Sequence, residues 1–193
     1  ATTEIYTLSL HDALPICSRG SVKIVIDKRN YPWFEFSFMG LYEPVVANAS
    51  PFTPVYTPWI KPVVFRASTV SCTLIGTVVG LHNITVDFGQ QVEFYEHSEE
   101  ESIQISNRNP TFQASFEEPE IGTHDFYDDA NTDATGALIY EHGITAGNIV
   151  TVNSPLTQIT SIATQDVQGV KALQVSGPLV TDGTDPDFSI VVT

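Results

Sequence analysis

Hydrophobic and polar positions alternate with a period of two along most of the chain. Val22, Ile24 and Ile26 alternate with Ser21, Lys23 and Val25, the pattern of a half-buried strand over Ser21–Ile26. After the polar turn cluster Asp27–Asn30, the run Trp33–Tyr42 (WFEFSFMGLY) sets Phe34, Phe36 and Phe38 on one face and Glu35 and Ser37 on the other. Ring-bearing residues at this spacing make it the strongest predicted strand. Further strands are predicted at Val63–Arg66, at Thr69–Val79 with a break at Gly76, at Asn83–Phe88, and at Gln91–Tyr95 after a bulge at Gly89. Ser98–Glu101 reads as an acidic turn, and Asn109-Pro110 splits Ser102–Ser106 from Thr111–Phe116. Gly136–Glu141, Asn148–Asn153, Leu156–Ala163, Gly169–Val175 and Asp187–Thr193 complete the set.

Two segments depart from this period. Pro44, Pro51, Pro54, Pro58 and Pro62 fall in one stretch, a density that neither a helix nor a central strand tolerates. A long extended loop is predicted over residues 44–62. Gly122–Ala130 is the helix candidate: Thr123 or Asp125 supplies a cap, and acids crowd its first turns, where the helix dipole favours them. Ten or so short strands with one short helix predict an all-β sandwich or barrel. No fixed-period repeat or dividing linker appears, so residues 17–193 are expected to form a single β domain.

Composition narrows the function classes. With 42% hydrophobic residues in 193, a core can form without disulfide staples, and the two cysteines make neither a disulfide framework nor a zinc site. The formal charge is −15. From Ala67 to Thr193 there are 18 acids against two bases, Arg108 and Lys171. Specific nucleic-acid or anionic-lipid binding needs clustered Lys and Arg, and the apolar runs are far shorter than a bilayer span.

Residue constellations point to no chemistry. Asp129, Asn131 and Asp133 occupy positions 1, 3 and 5 of a calcium loop, but Ala134 stands where glycine belongs and Tyr140 where a bidentate Glu belongs. A solvated helix end, with Asp125 and Asp128, is the better reading. His82, His97, His124 and His142 lack zinc spacing, and Cys72 stands alone. Glu93, Glu96 and Glu99–Glu101 read as a solvated edge that blocks aggregation. Asn48 and Asn83 head glycosylation sequons, which matter only in a secretory route. No catalytic, cofactor-binding or metal residue is assigned, and no enzyme activity is expected. Trp33, Tyr42, Tyr56 and Trp59 could line a sugar-binding face, which keeps an adhesin-like or carbohydrate-binding β-sandwich module as the alternative reading.

The first sixteen residues, ATTEIYTLSLHDALPI, lack the charged start and continuous apolar stretch of a secretory signal. They resemble the peptide obtained by translating a common short-read sequencing adapter, without a gap through Ile16. Ala1–Ile16 is therefore expected to be an adapter-derived artefact outside the fold, with the domain at 17–193 truncated at its N-terminus. Setting aside Glu4 and Asp12 takes the formal charge from −15 to −13.

The order of the remaining features resembles the tail tube proteins of long-tailed bacteriophages. Four passages carry the resemblance over roughly Ser21–Thr193. They are the aromatic strand YPWFEFSFMGLY with its aromatic-x-Gly-x-Tyr ending and the proline-rich loop after it, the strand SIQISNRNP (Ser102–Pro110), GALIYEHGITAGNIVTVNSPLTQIT (Gly136–Thr160), and the ending DPDFSIVVT. The resemblance implies a β-sandwich or barrel with one flanking helix. Six copies would form a ring, and rings would stack into a tube through which DNA passes without specific binding. It implies self-association and contacts with other tail proteins, no membrane partner, and a place in the virion after assembly in the bacterial cytoplasm. The 44–62 loop would stitch one ring to the next. An acidic lumen fits a conduit, since carboxylates repel phosphates that Lys and Arg would hold.

Overall fold

The computed structural model describes residues 16–42, 61–181, 183 and 186–193. Most of the predicted 44–62 loop lies outside the described residues, as does the adapter-like peptide up to residue 15.

The molecule is nearly all β. Its large sheet system runs in the order β2-β1-β5-β8-β12-β10-β9-β3-β4, with β11 paired to β12 and β13 paired to β10. The first layer comprises β1 (Ile16–Asp27), β2 (Trp33–Leu41), β5 (Leu81–Asp87), β8 (Thr111–Glu117), β11 (Ser161–Val167) and most of β12 (Val170–Val180). The second comprises β3 (Val70–Leu74), β4 (Thr77–Val78), β9 (Thr135–His142), β10 (Val150–Gln158) and β13 (Ser189–Val192). All pairings among the described strands are antiparallel.

The layers join through β12. Ala172–Pro178 pairs with β8, whereas Leu179 and Val180 pair with Thr157 and Leu156 of β10. Crossing there brings backbones close: a Cβ on Gly177 would lie 1.8 Å from the Gln158 carbonyl oxygen. Val167-Gln168-Gly169-Val170 closes the β11–β12 hairpin, with φ of 59° at Gln168 and 83° at Gly169, the paired positive values of a type I′ turn.

Inward residues of both layers form one contiguous core. Ile24, Ile26, Ile84, Val86, Phe112 and Phe116 meet Cys72, Leu74, Leu138, Tyr140 and Val152. This is the alternation read from the sequence, converted into a β-sandwich. The described helix, α1 (Phe126–Asn131), starts where Asp125 accepts from the Tyr127 and Asp128 backbone N–H groups. Its buried Phe126 sits edge-on to Phe116, with ring centroids 5.0 Å apart.

Several predicted boundaries differ: the helix starts at Phe126 instead of Gly122, because Asp125 caps it, and β12 runs on to Val180 past the predicted Val175. Val63–Arg66 is not a strand. Its backbone groups are used by the β1–β2 turn: Phe65 N–H donates to Asn30 O and Arg29 N–H donates to Phe65 O. The break in the 148–163 region falls at Ile159-Thr160 instead of Ser154-Pro155. Glu100 and Glu101, read as turn, open β7 (Glu100–Arg108), which among the described residues pairs only with β6 (Gln90–His97).

That β6–β7 hairpin is an arm. Val22 O accepts from Phe88 N–H and Ser21 Oγ accepts from Gln90 N–H, so β6 leaves alongside the outer half of β1. At Gly89, φ is 61°, and a Cβ would lie 1.9 Å from Asn109 O, so the arm's two stems touch where it departs. Arg108 clamps the root through a two-oxygen contact with Asp187, with N–O distances of 2.8 and 2.9 Å. Phe88 packs on Phe188 at 4.5 Å.

Candidate assembly surface

The residues that stand out are apolar ones without cover. β1 pairs with β5 only from Lys23 to Asp27; Arg19–Val22 is in register with β2 on one side, while on the other Val22 and Ser21 hold only the root of the arm, through Phe88 and Gln90. Phe34, Phe36 and Phe38 lie opposite Ile24, Val22 and Gly20, so their face continues the core face of the layer. The core ends before the strands do. Phe34 is 41% exposed and Phe38 64%, although their rings stack in file with Phe36 at 6.0 and 5.9 Å. β2 is an edge strand among the described residues. β13, another edge, exposes Ile190, Val191 and Val192, and the arm exposes Phe94, Tyr95 and Ile105.

Two charge clusters stand at opposite ends of the β5–β6 path, although Arg19 lies on the outer half of β1 and Asp27 beside the basic turn. Glu96, Glu99, Glu100 and Glu101 gather at the arm's outer end, with Glu93 midway along it, and Glu96 lies directly opposite Glu101. Like charges in that position oppose pairing. At the other end of β5, Lys28, Arg29 and Arg66 rim a cavity of about 480 Å³ whose floor includes Phe65, Cys72 and Val79. Burial pushes the Cys72 thiol up to about 12, so it is a packing residue and not a thiolate nucleophile. Thr69 Oγ1 donates to Val64 O and accepts from Arg66 N–H, which fixes the rim.

The remaining candidates are occupied by structural work. Asp129 holds His124 at 2.6 Å, Asp133 accepts from Gln158 Nε2, and Asp125 caps the helix, so the calcium-like spacing gathers no ligand set. No group of three metal-ligating side chains occurs among the described residues. His142 is buried, with Nε2 2.9 Å from Val63 O and Nδ1 3.3 Å from the Tyr140 hydroxyl. Burial, and then Cys72, push the Tyr140 hydroxyl well above the ordinary phenol range. Of the four aromatic residues considered for sugar, Tyr56 and Trp59 lie outside the described residues. Trp33 opens β2 and Tyr42 follows its end, which separates them by roughly 30 Å at strand rise and puts them on no common platform.

The overhanging aromatic face and the arm were not identified from the sequence. The signal was present in Phe34–Phe38, but alternation reports a face and not whether anything covers it. No helix among the described residues is long and apolar enough to cross a membrane. No protein-family model matches the chain, and no curated protein matches it.

Proposed function

We propose that this protein is a structural, self-assembling β subunit: a phage tail tube protein whose copies close into hexameric rings that stack around an acidic lumen for genome passage. The observation that carries the reading is the pair of apolar sheet edges, β2 with Phe34 and Phe38 and β13 with Val191 and Val192. An open edge with apolar side chains is a template for another chain. Two different edges on one subunit favour head-to-tail contacts, which close into rings when the rotation permits. The acid excess supports a lumen that does not hold DNA.

The ring and the tube rest on the resemblance of the aromatic strand, the SIQISNRNP strand and the chain ending. Electron microscopy and light scattering of the full chain test the reading. Rings of six copies are expected, with Phe38→Asp leaving a folded monomer. A wild-type chain that stays monomeric at every salt concentration overturns it.

A further inference from the structure

We propose that the Lys28/Arg29/Arg66 cavity is a docking site for the acidic β6–β7 arm of a second copy of this chain. The inference rests on the self-assembly reading and specifies the contact that joins one ring to the next.

Topology places site and occupant at opposite poles. β1 ends at Asp27 beside the start of β5, and the basic turn follows at once. β5 then runs seven residues away from that pole, and the eight-residue β6 continues outward from its far end. At strand rise these segments are roughly 20 and 25 Å long. The arm roots at the outer half of β1, against Ser21 and Val22, so its tip points away from its own cavity. A tip that cannot reach its own cavity can reach one only on a neighbour, and repetition of that contact builds a stack along the strand axis.

Charge selects the occupant. The tip carries four carboxylates, Glu96, Glu99, Glu100 and Glu101, with His97 as the one basic side chain among them. Among the described residues, none of Lys28, Arg29 and Arg66 is in an ion pair, although Glu117 adjoins the cavity wall at Gly80. Three cations around an apolar floor suit a strand pair that ends in acids and carries Phe94 on its Glu96/Glu101 face. Docking also relieves the arm's own conflict, because cations between Glu96 and Glu101 turn a repulsive cross-strand pair into a bridged one. The inner part of the arm packs along β1 and β2, with Ile103 buried, so a partner is needed only at its outer end.

The experiment is a charge exchange in the full chain. One variant carries Glu96→Lys, Glu99→Lys and Glu101→Lys, and the other carries Lys28→Glu and Arg66→Glu; all five side chains are exposed. Far-UV circular dichroism checks folding, and the neutral pair Glu99→Gln and Glu101→Gln serves if the reversed arm misfolds. Each variant alone is expected to form rings with stacking reduced at least tenfold, and an equimolar mixture is expected to restore stacks of alternating composition. Variants that stack as well as the wild type overturn the docking while leaving the ring reading intact. Linear chains without rings, lost in each variant and restored on mixing, support the docking and overturn the ring. Monomers throughout overturn both.

Discussion

His82 shows how a single side chain links the core to pH. It sits at the start of β5, and its Nε2 is buried without a partner. Burial, and then the Lys28 ammonium, hold its pKa below the ordinary value, while Glu117 pulls the other way. In the unfolded chain a histidine binds its proton near 6.5, so in the window just below that value the unfolded state takes up a proton that the folded state refuses. The stability contribution is present above the unfolded pKa and is lost as the pH falls toward the folded one. Thermal melts at about pH 7 and about pH 5 should show a smaller acid loss for His82→Gln than for the wild type. An equal loss in both would place the acid sensitivity elsewhere. The carboxylates common to both chains cancel in this comparison.

Elements with one covered face and a local cap were legible in the sequence. β5 and β8 follow their alternation, and α1 begins at an Asp that satisfies two backbone donors. What failed depended on partners distant in sequence. Val63–Arg66 has strand-like side chains, but its backbone bonds go to a turn more than thirty residues away. The arm alternates like any strand, and what makes it an arm is that, among the described residues, β6 and β7 pair only with each other while packing along β1 and β2. β12 poses the same problem, since its change of layer is set by Gly177 against Gln158 and not by the local pattern. Gly177→Ala should therefore destabilise the monomer by about 3 kcal/mol, the upper end of the usual cost of overpacking, because the carbonyl in its way belongs to the neighbouring strand and cannot rotate aside. Denaturant unfolding measures this. A loss near zero would mean that the layers join without the close crossing.

At the scale of the whole molecule, two charge effects act in opposite directions. In the proposed ring, six copies of the full chain at −15 would carry about −90, and that self-repulsion would oppose closure of the apolar edges. Salt shortens the screening length from about 10 Å at 0.1 M to about 3 Å at 1 M, so ring formation should improve as salt is added. Docking of an acidic tip into a cationic cavity is an attraction, and the same screening weakens it. Ring mass should therefore rise steadily with salt, while stack length should pass through a maximum at intermediate salt and then decline. Light scattering for mass and electron microscopy for length, on the same salt series, separate the two. Stack length that keeps rising to 1 M would show that ring-to-ring contact is apolar, and the cationic rim at Lys28, Arg29 and Arg66 would then need another role. Ring mass that falls with salt would show that charge, not the Phe34–Phe38 edge, closes the ring.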